Sequence, residues 1–128
     1  SVEQLQQIIA LLGERQRVLT GYVFPKFTKD NGRSYLESIA DQNEAGYTLY
    51  AMPILESADI LLKESRIENL LAIREIVTEF GDYVLNVRIG ATDFSGLLGV
   101  RRTIQHTIYD IQVVRDCLTD IMNIFLLN

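Results

Sequence analysis

The sequence predicts an α/β fold built on a short parallel sheet, and three observations predict it. β-rich runs lie near 18–24, 47–54 and 83–90. Between them stand stretches whose apolar residues recur at three- and four-residue spacing, the period of an amphipathic helix. The run at 47–54 is apolar on both of its alternating sets, as expected of a strand covered on both faces. Strands separated by helices are joined by right-handed crossovers, so they lie parallel.

Each element has its own local warrant. Val2, Leu5, Ile8, Ile9 and Leu12 form an apolar stripe that ends at Gly13, which reads as a helix with a C-terminal glycine. Val18, Leu19, Tyr22, Val23 and Phe24 then make the first strand, stopped by Pro25. Asn31-Gly32 signals a turn. Ser34 with Glu37 reads as a capping box for a helix that stops at Gly46. "YTLYAMPIL" is the second strand. Ser65 with Glu68 forms another capping box before "IENLLAIREIVTEF", closed by Gly81. "DYVLNVRIG" is the third strand, and "ATDFSGLLGVRR" reads as a loop bent at Gly96 and Gly99. Thr107 and Asp110 open a last helix with Ile111, Val114, Leu118, Ile121 and Phe125 along one face.

Composition removes several function classes. The 128 residues, 48% hydrophobic and 23% charged, suffice for one compact domain with a core. A net charge of −5, with no basic run longer than Arg101-Arg102, argues against a nucleic-acid surface. No stretch is long and apolar enough to span a bilayer, and "SVEQLQQ" lacks the features of a signal peptide. The single cysteine, Cys117, cannot form an internal disulfide, which points to the cytoplasm. It falls within a helical pattern and reads as a small buried hydrophobe. His106, the one histidine, reads as a surface residue or one at a helix start.

Ligands of parallel α/β proteins bind at the carboxyl ends of the strands. Here those ends carry Lys26, Glu56, Arg88 and Asp93. Two carboxylates meeting on one rim repel, by on the order of 4 kcal/mol at about 4 Å and an effective dielectric of roughly 20. A hard divalent cation relieves this, and Mg²⁺ commonly takes one or two protein carboxylates while keeping several waters. Plainer readings stand beside that one. Glu56 also suits the first turn of a helix, where the macrodipole favours an acid. Asp93 also suits a turn or cap, and Lys26 an exposed position. "GATDFSG" lacks the Gly-Lys-Ser/Thr ending of a phosphate-binding loop.

Three segments together resemble a known family. "GYVFPKF", "YAMPILES" and "RIGATDFSGLLGVRR" are similar, in that order, to strand-end motifs of the HpcH/HpaI aldolase and citrate lyase β-subunit family. Within it, they look closest to the branch of carbon–carbon bond lyases of TIM-barrel fold associated with tellurite-resistance gene clusters. The resemblance implies a (β/α)8 barrel of which residues 1–128 would be a fragment of about three βα units. It implies Mg²⁺ held by Glu56 and Asp93, and cleavage of a carbon–carbon bond beside a carbonyl in an organic acid or CoA thioester. Lys26, Arg88, Gly90, Ala91 and Thr92 become candidate substrate-binding residues. Arg101 and Arg102 read either as an exposed basic pair or as contacts to CoA or another anionic group.

The sequence also departs from that family. A TIM barrel takes about 250 residues. The family's early-strand arginine has no counterpart here, and no general acid or base stands out. Such a chain, alone, is expected to form a homo-oligomer, to join the remainder of a barrel, or to expose apolar surface. Its rival function is a non-catalytic assembly module that reuses the barrel pattern. A response-regulator-like domain would need an acidic pair where Pro25-Lys26 stands.

Overall fold

A computed structural model describes residues 1–100 and 103–126. Arg101 and Arg102 lie outside the described residues. Three strands, β1 (Gly21–Phe24), β2 (Tyr50–Leu55) and β3 (Arg88–Ile89), form one sheet in the order β1-β2-β3, parallel throughout. This is the α/β architecture expected, a partial TIM barrel with β2 at its centre.

The register assigns the two faces. Tyr22 pairs with Ala51, Phe24 with Pro53 and Leu55 with Ile89, so these six share a face. Phe24, Ala51, Pro53 and Leu55 are buried there. Val23, Met52, Ile54 and Arg88 lie on the other face, where Val23 is 43% exposed and Met52 and Ile54 are half-buried. Strand β2 is therefore apolar on both sides although helices cover only one of them.

The covering layer comprises α1 (Val2–Leu12), α2 (Gly32–Glu44), α3 (Ala58–Leu61), α4 (Lys63–Glu79), α5 (Ala91–Leu97) and α6 (Gln112–Leu126). Leu36 and Ile39 of α2, Leu70 and Ile73 of α4, and Val114 and Ile121 of α6 join the strands in one core. Phe24 stacks on Tyr35 of α2 with ring centroids 4.6 Å apart. A buried Arg66 ties three helices together. Its Nε and Nη2 donate to the carbonyls of Ile60 and Leu61 at 2.9 and 2.7 Å, and its Nη1 to Asp120 Oδ2 at 2.7 Å. The carbonyls at the end of the one-turn helix α3 are thereby satisfied by a side chain instead of by water.

Cys117 is fully buried, its Sγ donating to the Ile60 carbonyl, and burial pushes the thiol up to about 11. His106 sits in an exposed segment with Nδ1 against the Thr103 hydroxyl. The two do not form a nucleophile pair. Among the described residues, no helix is long and apolar enough to cross a membrane.

Several boundaries differ from expectation. Residues 13–18 wind into a 3-10 turn, so β1 starts at Gly21 rather than 18. Strand β2 runs 50–55 rather than 47–54. The third run touches the sheet at Val84, opposite Ala51, where the Leu85 N–H donates to Ala51 O at 3.0 Å, leaves it through Asn86 and Val87, and rejoins only at Arg88. Helix α2 begins two residues before Ser34, and Ser65 lies inside α4 with its hydroxyl donating to Asp59 O at 2.7 Å, so neither serine is an N-cap. Thr107 and Asp110 do form a capping box, but on a short 3-10 turn ahead of α6. "ATDFSGL" is helix α5, not loop, because Ala91 and Phe94 bury one side of it in the core. In α1 only Leu5 is buried, and Ile8 is 46% exposed.

Candidate functional site

Glu56 is the first residue past β2, and its carboxylate is turned inward. It is 8% exposed, a burial rare for an ionisable side chain. The Lys26 backbone N–H, leaving β1, donates to its Oε1 at 2.9 Å. On the β3 side, Gly90 donates its N–H to Leu55 O at 2.9 Å and presses its backbone against Glu56. A Cβ on Gly90 would stand 2.6 Å from the Glu56 Cβ. Glycine is required there by close approach, since its φ of −91° is open to any residue.

Gly90 is also the N-cap of α5, and this sets Asp93. The Asp93 N–H closes the first turn onto Gly90 O at 3.0 Å, so the Asp93 side chain rises beside Glu56. Burial holds the Glu56 carboxyl above its ordinary range. Asp93 raises it further, as acceptor for the protonated form and as a like charge, while the Lys26 N–H and ammonium pull it down.

A cleft of about 300 Å³ opens over these groups, lined by Glu56, Arg88, Gly90, Ala91, Thr92, Asp93, Ile54, Ile108 and Tyr109 among others. Six of the seven residues singled out in the sequence thus lie on one rim. Lys26, the seventh, reaches the site through its backbone, and its side chain is exposed. Ala91 is buried, whereas Thr92 and Asp93 are exposed. Tyr109 and Ile108 were not anticipated. The Thr107–Asp110 capping box that presents them was the available signal, read only as a helix start.

The donor set can be weighed against a cation. Among the described residues no three or more His, Cys, Asp or Glu side chains are grouped to hold one. Two carboxylates and an open cleft fit Mg²⁺, which tolerates few protein ligands and completes its octahedron with water and substrate oxygens. They would be a poor site for zinc, which prefers nitrogen and sulfur donors in a closed tetrahedron.

Parallel strands with helices behind them, and acids converging at their carboxyl ends, define a barrel-type α/β protein with its polar site on the strand-end rim. A model of the family C-C bond lyase of the TIM-barrel fold matches residues 1–128. The chain belongs to that family, whose name denotes carbon–carbon bond lyases. No curated protein and no solved structure matches it.

Proposed function

We propose that this chain carries the divalent-cation site of a carbon–carbon bond lyase of the citrate lyase β-subunit and HpcH/HpaI aldolase type, acting on a small organic acid or its CoA thioester. One observation carries the reading. A buried glutamate is seated beside an aspartate from the next strand end, and this drives up the glutamate's proton affinity. Such a pair is unfavourable unless a proton or a cation sits between its members.

Glu56 and Asp93 would hold Mg²⁺. When bound, the ion supplies Lewis acidity that stabilises negative charge growing on a substrate carbonyl oxygen as the carbon–carbon bond breaks. The residues around it act by position and charge. The Lys26 N–H keeps Glu56 Oε1 in one orientation. Arg88, exposed on the same rim, would pair with a substrate carboxylate. Tyr109, 58% exposed beside the cleft, offers a hydroxyl to the same substrate. Thr92 lies on the cleft wall within the first turn of α5, where a hydroxyl can hydrogen-bond to substrate.

Isothermal titration with Mg²⁺ tests this, comparing wild type with Glu56→Gln and Asp93→Asn. Wild type is expected to bind, and each variant to bind at least tenfold more weakly. Equal binding in all three proteins would remove the metal assignment.

A further inference from the structure

The chain leaves β1 in a conformation that L-residues avoid. Lys26 has φ 52°, and among the described residues it is the one non-glycine with positive φ. A residue held there is destabilised by roughly 1–2 kcal/mol, so its surroundings must impose it. Two groups do so. Asn31 donates from Nδ2 to Lys26 O at 3.0 Å, and its Oδ1 accepts from the Thr28 N–H at 2.9 Å. Phe27 N–H donates to Ile54 O at 3.1 Å, two residues before Glu56, which fastens the same loop to β2.

The choice of Asn31 is informative because of what it does not do. It is the N-cap residue of α2, where an asparagine side chain usually accepts from the helix's own first-turn N–H groups. Here it makes no such bond. Both ends of its amide turn back onto the loop instead. What that loop delivers is the Lys26 N–H, aimed at Glu56 Oε1. With Gly90 crowding the glutamate from the other side, the carboxylate is held between two backbones.

We propose that Asn31 is a positioning residue for Glu56: it stabilises the left-handed Lys26 and so fixes how the glutamate is presented to a cation. This rests on the metal reading for its consequence, but not for its geometry. Groups that orient metal ligands typically change affinity 10–100-fold when removed.

Two measurements on the full 128-residue chain test it. The first, in metal-free protein, is the ¹H–¹⁵N resonance of the Lys26 amide. In wild type a bond to a buried carboxylate should shift it downfield and slow its exchange. In Asn31→Ala it should move upfield and exchange faster while the β2 amides stay put. The second is Mg²⁺ titration, in which Asn31→Ala is expected to bind about tenfold more weakly. Asn31→Asp, which keeps the acceptor for Thr28 and loses the donor to Lys26, should fall between, and it replaces the alanine variant if that fails to fold. An unmoved Lys26 amide in the folded variants overturns the proposal, and so does unchanged Mg²⁺ affinity beside a wild type that binds. If wild type binds no Mg²⁺ while the amide responds as described, the metal reading fails and the positioning of Glu56 by Asn31 stands.

Discussion

At Gly90 a single hydrogen atom separates two parts of the site. Replacing it with methyl puts a carbon 2.6 Å from the Glu56 Cβ, far inside van der Waals contact. Neither partner can yield easily, because Gly90 is tied to Leu55 O and Glu56 to Lys26. Gly90→Ala is therefore expected to destabilise the chain by about 1–3 kcal/mol, the usual range for overpacking, and to weaken Mg²⁺ binding with it. Urea unfolding and calorimetric titration check the two halves. Glu56 itself carries a pH signature. Its folded pKa lies above the ordinary 4.5, raised by burial and by Asp93. The neutral acid is thus the form the fold favours, so stability tied to this group is fully present below pH 4.5 and is lost as pH rises through the folded value. In metal-free buffer, Glu56→Gln should gain on wild type as pH is raised from 5 to 8, and the gain should level off once Glu56 is ionised. A difference in urea midpoint that does not change with pH would contradict this, and saturating Mg²⁺ should reverse it.

At the scale of elements, α3 depends on a residue outside itself. One turn of helix cannot stabilise itself against the entropy of nucleation. Arg66, entering from α4, caps its last carbonyls and ties it to Asp120 of α6. The Arg66 side chain is 3% exposed and that of Asp120 35%. Removing Arg66 leaves the Leu61 carbonyl and a half-buried carboxylate without their partner, and leaves the Ile60 carbonyl only the weak Cys117 Sγ donor. Arg66→Ala should cost about 3–5 kcal/mol, as for other broken buried pairs, whereas Asp120→Asn should cost far less because the two carbonyl bonds remain. Thermal unfolding of both variants decides this.

The same scale shows what could be read from the sequence. The alternation of strands and helices and the positions of Glu56 and Asp93 just past strands were legible because they rest on local rules: an apolar run, a turn residue, an acid just past a strand. Helix α5 was not, since Gly96 looks like a breaker and only burial of Phe94 in the core makes the segment helical. Ser34 and Ser65 satisfied the spacing of a capping box, yet the helices start earlier, so spacing alone misled. At Lys26 the sequence shows a rim cation or an exposed lysine, and its side chain is exposed. Its left-handed backbone could not be foreseen, because lysine carries no preference for that region and the cause sits five residues away in Asn31.

For the whole molecule, the open face of the sheet sets the behaviour. Three parallel strands cannot close on themselves, and helices cover one side only. The other side presents Val23, Met52 and Ile54 in adjacent register, with β1 and β3 as edges unpaired among the described residues. Unpaired edges beside an apolar face invite pairing with another chain. An apolar cleft of about 400 Å³, lined by Val77, Val84, Val87, Ile89, Ile121 and Phe125 among others, adjoins the β3 edge on the helix-covered side and adds a second exposed apolar surface. The 14.6 kDa chain is accordingly expected to self-associate, and light scattering after size exclusion should give a mass above the monomer's. Val23→Lys combined with Met52→Lys puts charge on the open face without touching the buried one. If that face drives association, the double variant should run as a monomer with its unfolding midpoint little changed, since neither side chain joins the core cluster. A wild type that is already monomeric would show that the open face is tolerated in water, and an associated double variant would move the contact to the cleft beside β3.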